Sequence, residues 1–237
     1  SAFSAGVVTL VRSSSAQGGD DDIRVGSLSG NNIVMGGQGA DFVETSVGHD
    51  RIIGDNGEIV IGNDGVIQTM QTTNIINGGD DVIITAGGNN TIFAGQGNDR
   101  VTAAAGDDDI FGDNGLIEYV DGLAVRLVST DIDATTTGLD IIDAGEGSNR
   151  VIGGFSADNV TTGDGAAVYL TPGSEASLDS SLFLDNNSVG WGTVVVSDEA
   201  SITLTNSVFQ DNLVGDRGAF FASHPNVVEL DDVVFDG

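Results

Sequence analysis

Acidic and amide side chains recur in this sequence at a spacing that suits the binding of a hard cation. In the stretch 79–110 a glycine, an Asp or Asn two residues later and an aliphatic residue two residues further on repeat every nine residues. The acid or amide positions of this stretch are Asp81, Asn90, Asp99 and Asp108. Carboxylate oxygens, amide oxygens and turn carbonyls are the ligands that Ca²⁺ prefers. The spacing therefore indicates a row of calcium sites.

The same pattern occurs in two further blocks of the chain. Its acid or amide positions in the first block are Asp21, Asn32, Asp41 and Asp50, and two extra residues follow the first of them. Those of the third block are Asp140, Asn149 and Asp158. The first two blocks end on Gly-Asp-Asn-Gly, at 54–57 and 112–115. A fixed period is the signature of stacked repeats, so we interpret the blocks as copies of one unit separated by inserts.

Each nine residues supply a turn and a short strand, so 18 residues make a full coil and residues 18 apart face each other. The expected pairs on one edge are Asp81 with Asp99 and Asp140 with Asp158, and Asp21 with Asp41 joins them if the two-residue insertion bulges out. Those on the other edge are Asn32 with Asp50, and Asn90 with Asp108. Because ligand charge tunes calcium affinity, the first edge is predicted to bind more tightly. The alternative is that the Asn positions are metal-free turns closed by local Asx hydrogen bonds.

One stretch of the chain spells out a known repeat. Residues 36–43 read Gly-Gly-Gln-Gly-Ala-Asp-Phe-Val, and residues 95–101 lack only the first glycine of the same pattern. These residues resemble the RTX family, whose nonapeptide Gly-Gly-x-Gly-x-Asp-x-aliphatic-x forms a parallel β-roll. The resemblance covers about residues 18–165. It implies Ca²⁺ as the cofactor and a secreted protein.

After about residue 165 the period changes to 26 residues, on which Phe183, Phe209 and Phe235 fall. Alternating apolar and polar residues within each period predict strands with one buried face. This part resembles the right-handed parallel β-helix of the pectate-lyase type. The predicted fold class is therefore all-β: a parallel β-solenoid in which a calcium β-roll continues into a right-handed parallel β-helix, with β-hairpin insertions.

The predicted organisation has three parts, whose strands are expected to stack without a break. An N-terminal strand and linker occupies 1–17, the β-roll 18–165, and the β-helix 166–237. Two inserts, 58–77 and 116–137, carry hairpin signals around Gly62-Asn63-Asp64-Gly65 and Asp121-Gly122.

The roll should present an apolar stripe on one outward face. Its members are Met35, Ile53, Phe93, Phe111 and Ile152. Because an exposed stripe of this kind marks an interaction or aggregation site, we expect the hairpins to cover it. A naked face that binds a partner is the alternative.

The charge of the chain narrows the function classes. The formal net charge is -29, from 36 acids against 7 bases, and there is no cysteine. Such a charge argues against nucleic acid and anionic membranes as partners, and no apolar run is long enough for membrane insertion. A solvated acidic surface is the alternative, but the acids follow a nine-residue lattice. Without cations they would repel one another and oppose the compact state.

These patterns favour an extracellular, calcium-stabilised structural or adhesive module: a segment of a large surface protein, a surface layer or a self-assembling filament. Further copies or flanking repeats are the expected partners, end to end. If separate copies stack, pairing of the N-terminal strand at 6–11 with the next copy is one way in which they would join. The alternative function is a carbohydrate-binding or carbohydrate-modifying β-helix with RTX accessory repeats, with cell-surface polysaccharide as partner. No enzyme is expected, because the β-helix part offers little beyond Arg217 and His224 as catalytic groups.

Overall fold

The computed structural model describes residues 8–13, 17–26, 30–131, 136, 138–147, 149–153, 225 and 227–236, together with the strands that lie between 158 and 222. For the strands between 154 and 201 the description is of the backbone. The strands are β1 (Leu10–Arg12), β2 (Asp22–Arg24), β3 (Ile33–Met35), β4 (Phe42–Thr45), β5 (Arg51–Ile53), β6 (Gly57–Ile61), β7 (Ile67–Thr72), β8 (Val82–Thr85), β9 (Thr91–Phe93), β10 (Arg100–Thr102), β11 (Asp109–Phe111), β12 (Gly115–Val120), β13 (Leu123–Ser129), β14 (Ile141–Asp143), β15 (Arg150–Ile152), β16 (Asp158–Thr161), β17 (Val168–Leu170), β18 (Glu175–Asp179), β19 (Ser181–Leu184), β20 (Asn187–Ser188), β21 (Val194–Val196), β22 (Ser201–Thr205), β23 (Val208–Gln210), β24 (Leu213–Val214), β25 (Phe220–Ala222), β26 (Val227–Asp231) and β27 (Val234–Asp236). Every element described is a strand, and none of these residues belongs to a helix that could cross a membrane.

Sheet I contains nine strands in the order β2-β4-β8-β10-β14-β16-β19-β23-β27, and its neighbours pair in parallel. The aliphatic residue of each nine-residue repeat lies at a matching position in its strand. Val43 pairs with Ile83, and Ile83 pairs with Val101. All three side chains are buried. Since side chains alternate across a strand, one apolar residue per strand suffices to build this narrow core.

Sheet II contains eight strands in the order β25-β21-β17-β15-β11-β9-β5-β3. Its neighbours pair in parallel except at β15 and β17. Ile52, Ile92 and Ile110 occupy matching positions and join the core of sheet I. The next residue of each strand faces the opposite side, where the rings of Phe93 and Phe111 stack with centroids 4.4 Å apart. In the roll, we call a strand of sheet II and the following strand of sheet I a rung.

Both predicted hairpins are confirmed. β6 pairs antiparallel with β7, and β12 pairs antiparallel with β13. At the tip of the second hairpin Asp121 and Gly122 have φ angles of 52° and 79°, and positive φ at both central residues is typical of a two-residue hairpin turn. β7 also pairs with β12, which the sequence did not indicate. Together with β1 these strands form a five-stranded antiparallel sheet, the hairpin sheet.

The hairpin sheet covers the outward apolar face of sheet II. The fully buried residues that the two sheets contribute to one cluster are Ile53, Phe93, Phe111, Ile59, Met70, Ile117 and Leu127. A Cβ atom added to Gly115 would lie within 3.0 Å of the rings of Phe111 and Phe93, so the hairpin backbone lies directly on these rings. The stripe predicted from the sequence is therefore a second core, and Met35 at its margin is partly buried.

The N-terminal strand pairs within the chain. β1 runs antiparallel to β6, with Leu10 opposite Val60 and Arg12 opposite Glu58. β1 supplies hydrogen bonds to β6, which would otherwise present an unpaired edge of the hairpin sheet. Because β1 is itself the edge strand of this sheet, its pairing with a neighbouring copy stays a prediction.

The strands after residue 165 pair at the predicted interval of 26 residues. Leu204 lies opposite Leu178 on one side and Leu230 on the other. The rings of Phe209 and Phe235 stack with centroids 4.8 Å apart. These repeats add a third parallel sheet in the order β18-β22-β26, and β20 pairs with β24.

The junction between the two periods keeps its stacking in one sheet. In sheet I β16 pairs in parallel with β19. In sheet II β15 and β17 meet antiparallel at a single residue pair, Arg150 with Val168. Parallel pairing thus continues across the junction in sheet I, whereas sheet II reverses direction there at one residue pair. The three-part domain boundaries stay a prediction.

Truncation of a ring in the second core should loosen the hairpin sheet. We expect Phe111→Ala to lower the free energy of unfolding by about 3–5 kcal/mol, the usual cost of removing a buried Phe side chain. Phe235→Ala is the matched control, because that ring is 50% exposed. Urea unfolding in excess calcium, followed by circular dichroism, measures both variants. Equal losses would contradict the packing described here.

Candidate metal sites

A ladder of hydrogen bonds runs along the edge where sheet II strands turn into sheet I strands. In each step an Asp Oδ1 atom accepts a hydrogen bond from the backbone N–H of the equivalent Asp one rung earlier. The steps of this first ladder, with their N···O distances, are Asp21 to Asp41 (2.7 Å), Asp41 to Asp81 (2.7 Å), Asp81 to Asp99 (2.7 Å) and Asp99 to Asp140 (2.8 Å). The four accepting side chains are buried.

The first ladder uses only one carboxylate oxygen of Asp41, Asp81 and Asp99. The Oδ2 atoms of Asp41, Asp81 and Asp99 are buried and have no hydrogen-bond partner among the described residues. Leaving a buried polar atom without a partner costs about 1–3 kcal/mol, and more when it is charged. The arrangement therefore calls for a positive partner at each of these oxygens.

Carbonyl oxygens of the turns lie beside these carboxylate oxygens. A Cβ atom placed on Gly54 would lie within 3.0 Å of both Asp81 Oδ2 and the carbonyl oxygen of Ala94. The same construction at Gly36 meets Asp41 Oδ2 and the carbonyl oxygen of Gly54. A side chain at either glycine would fill the space that the two oxygens border. Two oxygen atoms that face one small space from successive rungs are a donor set that suits Ca²⁺.

A second ladder runs along the opposite edge. Its steps are Asn32 to Asp50 (2.8 Å), Asp50 to Asn90 (3.0 Å), Asn90 to Asp108 (2.7 Å) and Asp108 to Asn149 (2.9 Å), each from a backbone N–H to a side-chain Oδ1. Amide and carboxylate thus alternate along this edge, as the sequence predicted.

The Asn residues show what an uncharged side chain does in this position. Asn90 Nδ2 donates to the carbonyl oxygen of Gly88 at 2.7 Å and to Asp108 Oδ1 at 3.0 Å. Asn32 Nδ2 donates to the carbonyl oxygen of Gly30 at 2.7 Å. An Asp has the same shape but carries an oxygen in place of this donor. Local hydrogen bonds therefore satisfy Asn32 and Asn90, which favours the metal-free alternative for the two amides, whereas Asp50 and Asp108 keep a buried Oδ2 without a described partner.

Both ladders continue across the inserts. The predicted contacts of Asp21 with Asp41, and of Asp81 with Asp99, are present, but Asp41 also contacts Asp81 across the first hairpin. A strict interval of 18 residues misses this step because the hairpin lies within the interval. Asp158 begins β16, which pairs in register with β14, but its side chain lies outside the described residues. The role of the ten predicted residues as metal ligands stays a prediction.

Sequence reasoning missed the acids of the Gly-Asp-Asn-Gly segments as site residues. Asp55 and Asp113 are 3% and 1% exposed. Asp55 Oδ2 accepts a hydrogen bond from the Gln96 N–H at 2.6 Å, and Asp113 Oδ1 accepts one from the Gly138 N–H at 2.8 Å. The repetition of an acid directly before each insert was the available signal.

Burial and mutual repulsion raise the pKa values of the Asp side chains at the edge of the first ladder. Burial raises the pKa of Asp81 to about 9, and the charge of Asp55 adds to the effect. The pKa of Asp55 is raised to about 9 by burial, against the hydrogen bond from Gln96. On the second ladder burial raises the pKa of Asp108 to about 6. Without a cation these carboxylates resist ionisation, which a bound Ca²⁺ would reverse.

The described residues hold no cluster of three or more His, Cys, Asp or Glu side chains of metal-binding size. A calcium ion at this edge would draw part of its coordination from backbone carbonyls. The first ladder offers such carbonyls at Asp41 Oδ2 and Asp81 Oδ2, each of which has a turn carbonyl for a neighbour. The residues present thus fit Ca²⁺ and do not resemble the side-chain cages of transition metals.

The raised pKa values predict opposite pH dependence with and without calcium. The pKa values of Asp55 and Asp81 in the folded state are raised above the ordinary value of 3.8. The metal-free chain should therefore lose stability as the pH rises from about 4 to about 9. Calcium binds the ionised form, so stability in excess calcium should rise over the same range. Thermal unfolding of metal-stripped protein at about pH 5, 7 and 9 tests both slopes. Parallel slopes would contradict the assignment.

Single amide substitutions should distinguish the two edges. Asp99→Asn removes a buried charge between Asp81 and Asp140. Loss of an outer-shell partner usually weakens metal binding roughly 10- to 100-fold, and this substitution should weaken calcium binding at that edge by at least as much. Asp108→Asn should have a smaller effect, because the second ladder already alternates with amides. Calorimetric calcium titration compares them with Asp121→Asn at the exposed hairpin tip. An equal response of all three variants would rule out the charge argument.

The comparisons with known proteins agree with this geometry. The family model for the RTX calcium-binding nonapeptide repeat (4 copies) matches residues 28–58, 84–115 and 135–168. Comparisons with curated proteins and with solved structures gave no significant match. The matched segments contain both ladders from Asn32 onward, apart from Asp81, and RTX repeats are typical of secreted proteins and imply a β-roll. These three segments match the RTX nonapeptide repeat, and such repeats bind Ca²⁺.

Proposed function

We propose that this chain is an extracellular structural or adhesive module that calcium stiffens, a segment of a large surface protein, surface layer or filament. The observation that carries the proposal is the first ladder, in which buried carboxylates follow one another through successive rungs. A catalytic site needs a few converging groups. A row that repeats with the rungs instead suits a mechanical role, because each added ion ties one rung to the next.

We also propose that sheets I and II are two sides of one parallel β-solenoid, and that the strands after residue 165 continue it as a right-handed β-helix. Support comes from the registers. Arg100 lies opposite both Val82 and Ile141, so the rungs before and after the second insert keep one alignment. The 26-residue repeats likewise pair strand by strand with their counterparts.

Calcium would act as a folding switch. The chain carries a formal net charge of -29. The repulsion between these charges opposes a compact state whose inner core, between sheets I and II, has one apolar residue per strand. Ion binding neutralises the ladders, so its free energy becomes folding free energy. An affinity of ~0.1–1 mM, which is typical of extracellular modules, would leave the chain open inside a cell and folded outside it.

End-to-end packing with further repeats or copies is part of the proposal. On β27 Val234 and Phe235 are 52% and 50% exposed, and β27 is an edge strand of sheet I. Exposed edges with apolar side chains are templates for pairing with another chain.

No catalytic role is proposed. His49 Nδ1 accepts a hydrogen bond from the Asn89 N–H at 2.9 Å, as expected of a turn residue, and Arg217 and His224 lie outside the described residues.

A calcium titration tests the proposal. We expect a cooperative gain of β signal in far-UV circular dichroism that calcium produces and magnesium does not, because magnesium dehydrates reluctantly and prefers smaller, regular cages. Light scattering recorded in parallel reports assembly, and a rise with calcium supports a filament or surface layer. A chain that is fully folded in chelator and remains monomeric would contradict the proposal. Polysaccharide binding, the alternative function, would then be measured next.

A further inference from the structure

The inference concerns the two turns from which the hairpins leave the roll, the hairpin roots. Strand register aligns the second residue of four successive turns on the first-ladder edge: Gly37, Asp55, Gly95 and Asp113. The uninterrupted turns carry glycine at this position, and the turns that hold an insert carry Asp. At both roots an acid thus replaces a glycine of the repeat. The geometry of the hairpins alone does not explain why the replacement is an acid.

The carboxyl group of Asp55 lies inside the stack of turns. The three heavy atoms nearest to a Cβ atom added to Gly95 all belong to the Asp55 side chain, and all lie within 3.0 Å of it. A Cβ atom added to Gly78, where the chain re-enters the roll, would meet Asp55 Oδ2 and the carbonyl oxygen of Gln96. The side chain therefore bridges the two ends of the interrupted turn and approaches the turn that follows it.

The backbone N–H of Gly79, like that of Gln96, stabilises the ionised Asp55 carboxylate, but one of its oxygens has no hydrogen-bond partner of normal geometry among the described residues. Oδ2 accepts the hydrogen bond from Gln96, whereas Oδ1 is buried and without a partner among the described residues, as is Oδ2 of Asp81. The Asp55 side chain is more than nine-tenths buried. The described ion pairs of the roll and hairpins, at Arg24, Arg126 and Arg150, involve other carboxylates. When they are ionised, carboxylates buried in this way need a cation to balance their charge.

The second root repeats the arrangement. Asp113 is buried and accepts a hydrogen bond from Gly138, where the chain re-enters the roll after the second insert. A Cβ atom added to the neighbouring Gly112 would lie within 3.0 Å of Asp140 Oδ2 and of the carbonyl oxygen of Gly153. Both roots thus combine an acid from the turn, a ladder acid from the returning chain and a carbonyl from the following rung.

We propose that Asp55 and Asp113 are additional calcium ligands, each sharing an ion with a ladder acid, Asp81 at the first root and Asp140 at the second. The inference rests on the proposed calcium-dependent folding and deepens it. An ion held in this way joins the residue before the hairpin to a residue after it, so the metal closes the gap that each insert leaves in the turn. Loading the roots then fastens the hairpin sheet to the roll.

The test compares Asp55→Asn with Asp64→Asn. Asparagine keeps the shape of Asp55 and an oxygen that accepts from Gln96, but it removes the charge. Asp64 lies exposed in the turn of the same hairpin and its Oδ1 accepts from the Val66 N–H at 3.1 Å, so its substitution controls for the loss of one charge. Calcium stoichiometry by equilibrium dialysis and the calcium-induced shift in melting temperature are measured on the whole chain.

We expect Asp55→Asn to lose one bound ion, or to bind it roughly 10- to 100-fold more weakly, and to gain less in melting temperature from calcium, while Asp64→Asn matches the unsubstituted chain. Equal stoichiometry and equal shifts for all three proteins would overturn the inference and leave Asp55 a hydrogen-bond acceptor only. If the unsubstituted chain itself binds no calcium, the proposed function fails instead. Asp113→Asn repeats the measurement at the second root and decides the matter should Asp55→Asn not fold.

Discussion

The structure of the roll depends on one interaction, the hydrogen bond from a backbone N–H to a side-chain oxygen of the next rung. It fixes the register of Asp81 against Asp99 and orients each carboxylate so that its second oxygen faces the turn. Each strand contributes only one aliphatic residue to the narrow inner core, and successive rungs are alike. The core alone therefore does not prevent the strands from pairing in a shifted register. The ladders remove this freedom, and they concentrate the negative charge that a cation must balance.

Much of this arrangement could be predicted because the repeat imposes it locally. Within five residues the sequence marks a turn at Gly97, a ligand position at Asp99 and a core position at Val101. Each of these residue types has one physical reason to occupy its position. The hairpins could be predicted for the same reason, since Asp121-Gly122 is a turn signal that needs no knowledge of the rest of the chain. The aliphatic residues Ile83, Ile92 and Ile110 lie in the core as expected.

What could not be predicted depends on contacts between distant segments. The pairing of β7 with β12 joins hairpins whose sequences share no recognisable complementarity. Contact of Asp41 with Asp81 requires the insert to leave and return at the same turn. Asp55 resembles any turn residue until the register places it above Gly95. The change of period at about residue 165 is visible in the sequence, but the reversal between β15 and β17 is not.

The closeness of the two ends of the first insert has a consequence for how such proteins diversify. Asn56 Nδ2 donates to the carbonyl oxygen of Asn77 at 3.4 Å, and the Thr73 N–H donates to the carbonyl oxygen of Asn56 at 2.9 Å. A segment that starts and finishes at almost one point leaves the strand register of the rungs above and below it unchanged. The roots are therefore grafting points, at which evolution or an engineer can exchange one surface appendage for another, provided that the new one also covers the apolar face of sheet II.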